Sequence, residues 1–317
     1  MKRILAMLLA LTLVLAYLPA LPVHAEMVAS GMWNGYLNWT LDDRGTLAIY
    51  GEGAMHDQDN SNGFTYQDSV KAVVIRDGVT KIGNYSFFCY PYLTSVEIAD
   101  SVTEIGSYAF YSCGLLTDLE LPASLEKIGN AAFYGCRRLT QLELPETITE
   151  INYAAFSNCR GLTQVKLPAS LKKIGVDAFT YCVKLTQVEI PASVTDIASY
   201  AFSNCSGLTD ITFRGNAPGI ENKAFENVTA TAHYPAGDAT WTEEVRQSYG
   251  GSITWQAYTT GPAIVAEGTC GDNLTWTLDA EGTLTIPVRA PWITLPIRTR
   301  PGRCTGIRSG PLSSRTE

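Results

Sequence analysis

Histidine is almost missing from this chain. Of the three it holds, His24 sits in the first segment, and His56 and His233 lie far apart. Neither has a second imidazole near it in sequence, so each reads as an exposed loop residue and not as part of a metal or acid–base centre. A glycine-rich phosphate loop, a metal-spaced cluster and a nucleophile motif are also lacking, so the expectation is a non-enzyme without a cofactor. Positive charge is scarce. The 23 Lys and Arg against 31 Asp and Glu leave −8, and −10 once Lys2 and Arg3 are set aside. That balance argues against nucleic acid as a partner, which needs a basic footprint. After residue 25 no apolar run of ~18 residues occurs, so no later segment is long enough to span a membrane as a helix.

The opening segment has what the rest lacks. Lys2 and Arg3 precede an uncharged apolar run from Ile4 to Ala16, Pro19 and Pro22 interrupt it, and Val23-His24-Ala25 offers small residues for cleavage. This is the pattern of a secretory signal peptide over residues 1–25, too short to serve as a comfortable transmembrane anchor. Secretion or display at the cell surface is expected.

Repetition dominates the remainder of the chain. Phe87, Phe110, Phe133, Phe156, Phe179, Phe202 and Phe225 recur every 23 residues, and a whole consensus travels with them. In Leu116-Thr117-Asp118-Leu119-Glu120-Leu121-Pro122 the leucines alternate with polar residues, as a strand with one buried face requires, and Pro122 ends the ladder. Leu125 and Ile128 form a second apolar pair, and Gly129 turns the chain. Ala131-Ala132-Phe133 then predicts a single helical turn that plugs its Phe into the interior. A fixed period of this length means stacked units that contact mainly their neighbours, a β-rich solenoid of about seven coils.

Segments such as Ala109-Phe110-Tyr111-Ser112-Cys113 and Leu185-Thr186-Gln187-Val188-Glu189-Ile190-Pro191 resemble the BspA-type leucine-rich repeat of bacterial secreted and surface proteins. The resemblance covers about half the chain and recurs in phase. It implies a leucine-rich-repeat stack and a part in adhesion, or in binding host or matrix components.

Cys113, Cys136, Cys159, Cys182 and Cys205 stand in one register. Residues one repeat apart stack with parallel Cβ vectors, which opposes a disulfide; the expectation is a row of small buried thiols. Cys270 and Cys304 fall outside the register. No metal is expected. Asp57-x-Asp59-x-Ser61 with Asp68 only faintly follows a calcium loop, because the turn glycine falls one place late and Asp replaces the closing Glu. Asn38-Trp39-Thr40 and Asn227-Val228-Thr229 match glycosylation acceptors, a short motif that arises often by chance.

Before the coils, Leu37–Leu41 and Thr46–Tyr50 read as a hairpin joined by Asp42-Asp43-Arg44-Gly45, placed to cover the first coil's open edge. The same pattern returns 237 residues later at Gly268, Leu274, Trp276, Leu278, Asp279, Gly282 and Ile286. Beyond Ile286 the composition changes, to six Arg, no Lys and one acidic residue. Read as degenerate codons from the third base, Pro287–Thr294 permits Gly-Thr-Gly-Ala-Met-Asp-Asn or -Tyr, against Gly51-Glu52-Gly53-Ala54-Met55-His56-Asp57 in the first module. A slip of coding frame accounts for that match. The expected divisions are therefore a signal peptide (1–25), an N-terminal β module or cap (26–76), the solenoid (77–235), a C-terminal cap and linker (236–262), the start of a second module (263–286) and an aberrant, disordered tail (287–317).

Two surfaces are candidates for binding. The outward strand positions form columns: Glu97, Asp118, Glu120, Gln141, Glu143, Gln164, Lys166, Gln187, Glu189 and Asp210. Stacked Glu residues repel, and Lys166 between Glu143 and Glu189 relieves this in part. The second is an aromatic cluster, Tyr85, Phe88, Tyr90, Tyr92, Tyr108, Tyr111 and Tyr134, suited to stacking on a sugar or anchoring a protein. The expected function is a monomeric, adhesin-like module that binds a host or matrix protein, or a glycan. The alternatives are a spacer that displays a missing C-terminal domain and a carbohydrate-binding accessory domain.

Overall fold

The structure is a computed structural model. It describes residues 25–58, 64–259, 264–270, 274–279 and 284–285, the last three stretches and Asp118 by backbone alone. Residues 1–24 of the expected signal peptide, most of the Asp57–Ser61 loop, Cys304 and the 287–317 tail lie outside the described residues. The chain divides into two compact units. One runs through Tyr234 and takes in Ala239–Gln256; the other takes Pro235–Asp238 and the residues from Ala257 onward.

The first unit is a solenoid with two parallel ladders. The front ladder holds the Leu-Thr-x-Leu segments, among them Ala72–Ile75, Ser95–Ile98, Gln141–Glu143, Gln164–Lys166, Gln187–Ile190 and Asp210–Phe213. Most pair with their equivalent one repeat on, as Gln141 with Gln164 and Val188 with Ile211, and Gln164–Lys166 does not pair with Gln187–Ile190. The back ladder is built from two-residue strands such as Lys127–Ile128, Glu150–Ile151 and Lys173–Ile174. Between strands the chain also bonds rung to rung: the Thr117 and Thr163 hydroxyls donate to the carbonyls of Thr94 and Thr140. Gly129 is required where the back ladder turns, because a Cβ there would collide with the backbone of Ser107 one coil below.

The interior is the row that the period requires. From Phe87 to Phe225 each ring stacks on the next with centroids 5.1–5.6 Å apart and planes within 18°, and all seven are fully buried. An eighth phenylalanine in phase, Phe64, leaves the row. Trp33 takes its place against Phe87 at 5.9 Å, so a tryptophan from outside the repeats closes this end. At the other end Phe213, Tyr234, Trp241 and Trp255 form an aromatic plug, with Trp241 Nε1 donating to the Gly215 carbonyl.

The expected helical turn at each Phe is corrected. The only helix among the described residues is the 3₁₀ turn Gln67–Ser69. Ala131 and Gly135, flanking Phe133, have φ of 51° and 74°, and the same two positions are left-handed in each coil from Phe87 to Phe225. The reason is the competition for amides. Those of Ala131, Phe133 and Gly135 donate to Tyr153, Ala155 and Ser157 in the next coil, whereas those of Ala132, Tyr134 and Cys136 close tight local turns. A helical turn would keep all of them local. Holding a non-glycine residue left-handed costs ~1–2 kcal/mol, offset here by a hydrogen bond to the neighbouring rung.

The hairpin forms as Leu37–Asp42 against Thr46–Gly51, with a third strand, Met27–Met32, that the sequence had not suggested. Thr46–Gly51 runs parallel to Ala72–Ile75, Thr46 opposite Ala72, so the module supplies a rung of its own. Thr229–Pro235 adds another beyond the last Phe-bearing front strand. The stack is thus about nine turns where the phenylalanine count gave seven.

The second unit contains Ile264–Cys270, Leu274–Asp279 and Leu284–Thr285. Its register copies that of the first module: Ile264 faces Asp279 and Ala266 faces Leu278, as Met27 faces Asp42 and Ala29 faces Leu41, with a bulge at the same place.

Candidate functional site

The front ladder turns its polar side chains outward, as the alternation requires. Gln141, Glu143, Gln164, Lys166, Gln187 and Glu189 are exposed, and Asp210 is half-buried. The structure closes most of the charges on this face. Lys166 Nζ lies 2.5 Å from Glu143, Arg214 donates to Glu189 at 2.7 Å, and His233 Nε2 lies 3.2 Å from Asp210. The hydrogen bond and charge of Glu143 raise the Lys166 pKa, and the hydrogen bond from Arg214 holds Glu189 below the usual carboxylate range. Lys166 therefore serves Glu143, with a smaller contribution from Glu146, and not Glu189. Glu97 and Glu120 keep an acidic character at the other end of the ladder, where they line a smaller recess with Ser95 and Val74. The Asp118 side chain lies outside the description.

The aromatic cluster is drawn together on another flank of the first coils. Tyr85 stacks on Tyr108 at 4.8 Å, and Phe88, Tyr111 and Tyr134 stack in a second column at 5.0 and 4.7 Å. Tyr85–Phe88 and Tyr108–Tyr111 contacts of 5.6 and 5.7 Å join the columns. The five rings are half-buried and stack face to face within each column. Burial, and then the neighbouring phenol of Tyr134, push the Tyr111 pKa up, which keeps it a neutral donor. Tyr92 is 53% exposed nearby in sequence. Tyr90 leaves the cluster: it occupies the cysteine register, is 1% exposed, and its hydroxyl has no partner. An outside ligand cannot reach it.

The back ladder was missed in the sequence reading. Lys81, Glu104, Lys127, Glu150, Lys173 and Asp196 alternate in sign at the 23-residue interval. Lys81 and Lys127 both reach Glu104, at 3.5 and 3.1 Å, and Lys173 approaches Glu150 at 3.8 Å. Reading the columns of charge, and not only of hydrophobes, would have found it. This face is closed on itself.

Inside, the five in-register thiols are buried, and each Sγ donates to the carbonyl of the Phe one coil and three residues back, as Cys113 to Phe87 and Cys159 to Phe133. Burial drives the Cys113 and Cys159 pKa to about 12 and raises those of Cys136 and Cys182. They are structural donors without nucleophilic character at neutral pH. Among the described residues no group of three His, Cys, Asp or Glu could hold a metal ion, and no helix is long and apolar enough to cross a membrane.

The description "BspA type Leucine rich repeat region" belongs to a family model that matches this chain in six copies, over residues 60–186 and 126–235. No curated protein matches it closely. Among solved structures the chain is similar to a leucine rich cell surface protein from Faecalibacterium prausnitzii A2-165 (25% identity, 66% of this chain and 71% of that one, TM-score 0.47). It is also similar to the T. pallidum Leucine Rich Repeat protein (26% identity, 71% and 100% covered, TM-score 0.47) and to the pneumococcal vaccine antigen PcpA (12% identity, 73% and 99% covered, TM-score 0.31).

Proposed function

Because this chain belongs to the BspA-type leucine-rich repeat family, we propose that it is an exported bacterial interaction module that holds a host or matrix protein on its aromatic flank. The observation that carries this reading is the double column of Tyr85, Tyr108, Phe88, Tyr111 and Tyr134. Protein interfaces draw their affinity from large aromatic anchors and are depleted in Lys, Glu and Asp. Rings already fixed by stacking lose little freedom on binding, so more of the contact energy becomes affinity. The strand face is the weaker choice for a protein, because most of its charges are engaged with one another and it carries no column of stacked aromatic rings. The N-terminal signal delivers the module outside the cell, and it performs no chemistry of its own.

The test is capture of purified host-surface and matrix proteins by the immobilised chain. Tyr108→Ser with Tyr111→Ser should weaken capture at least tenfold, and Glu97→Lys with Glu120→Lys and Glu143→Lys should leave it nearly unchanged. The opposite pattern would move the protein site to the strand face. Capture of nothing by the wild-type chain would leave the spacer reading in place of this one.

A further inference from the structure

The strand face keeps one feature that its ion pairs do not explain. Gln141, Gln164 and Gln187 form a column of three exposed amides, one per rung, and none makes a side-chain hydrogen bond with another described residue. They border a shallow groove of about 680 Å³ that runs across four successive coils, from Gln141 to Arg214. Within it the front ladder is interrupted: Gln164–Lys166 pairs with the rung before it but not with Gln187–Ile190 after it. Val165 is half-buried at this seam, where its equivalents Leu142 and Val188 are 3% exposed. The groove therefore offers an apolar floor, a row of amides that can both donate and accept, and two cations, Lys166 and Arg214, each paired with a carboxylate.

Spacing decides among the polymers that could lie along it. Rungs recur every ~4.8 Å, whereas an extended peptide advances ~3.3–3.4 Å per residue and falls out of step within two rungs. A phosphate polymer needs cations, and Lys166 and Arg214 are engaged with Glu143 and Glu189. An extended β-linked hexose chain advances by close to one rung per sugar, presents hydroxyls along its edges and carries no charge. We propose that this groove binds a linear, uncharged polysaccharide strand along the solenoid axis, with Gln141, Gln164 and Gln187 each meeting the hydroxyls of one successive sugar. The site is distinct from the aromatic flank, and neither depends on the other.

Titration calorimetry of the full chain with cellobiose, cellotetraose and cellohexaose tests this. Affinity should rise from the disaccharide to the tetrasaccharide, which fills the four rungs, and level off at the hexasaccharide. Gln141→Ala with Gln164→Ala and Gln187→Ala should weaken the tetrasaccharide at least tenfold, the fold-change of one good hydrogen bond. These exposed positions should leave thermal unfolding unchanged. No heat with any of the three sugars, equal affinity of the triple variant, or tighter binding of heparin than of cellohexaose would overturn the proposal. Tyr108→Ser with Tyr111→Ser should leave sugar binding intact, which separates a failure here from a failure of the protein-binding reading.

Discussion

Removing one ring from the middle of the internal row should be costly and local. Phe156 is fully buried between Phe133 at 5.5 Å and Phe179 at 5.6 Å, with planes within 11°. Phe156→Ala forfeits the transfer of the ring and leaves a cavity, together ~3–5 kcal/mol, and the loss of two stacked partners places it at the upper end of that range. Phe225 is equally buried but stacks on Phe202 alone among the row, so Phe225→Ala should cost ~1 kcal/mol less. In a stack coupled only to nearest neighbours the damage stays near its origin. Urea unfolding with hydrogen exchange reads both quantities. Amides of the coils of Phe133 and Phe179 should lose protection in Phe156→Ala, and those around Phe87 should keep it. A cost below ~2 kcal/mol, equal costs at the two sites, or loss of protection spread evenly over all coils would refute the stacked-row reasoning.

The thiols set an alkaline limit. Burial raises the pKa of Cys113 and Cys159 from 9.0 to about 12, so the folded state holds protons that the unfolded chain releases. Stability should be intact below pH ~9 and fall as pH rises toward 12, by about 1.4 kcal/mol per pH unit for each such thiol, read by denaturant titration at stepped pH. Glu104→Lys places three lysines, at 81, 104 and 127, in one column and should destabilise by ~1 kcal/mol, a loss that ~1 M salt largely restores. Tyr90→Phe removes a buried hydroxyl that has no partner and should stabilise the chain by ~1 kcal/mol in the same unfolding assay.

Much of the fold was legible because a solenoid writes its contacts into its period. Phe133 meets Phe156 because both occupy the same place in neighbouring repeats, so a one-dimensional pattern gives a three-dimensional neighbour. The Ala131–Phe133 segment was misread because local propensity suggests a helix, whereas amides bonding to the next coil hold Ala131 and its equivalents left-handed. Trp33 at the head of the row could not be read from periodicity, since it lies outside the repeats. The aromatic flank was legible as a cluster, but its stacked order and the withdrawal of Tyr90 into the interior depend on packing. The engagement of Glu189 by Arg214 escaped notice because Arg214 lies just past its strand, 25 residues from its partner and so out of phase with the repeat.

Distances between spin labels along one column test the rung-over-rung stacking most directly. Lys71, Thr163, Thr186 and Thr209 occupy the same position in their coils, and labels pair Lys71 with each of the three in turn. The background carries Cys89→Ser, Cys270→Ser and Cys304→Ser, because the five buried thiols should not react. The expected separations are ~19, ~24 and ~29 Å, one rung of ~4.8 Å for every 23 residues. Distances that fail to lengthen steadily from Thr163 to Thr209 would contradict the parallel stack on which both binding surfaces rest.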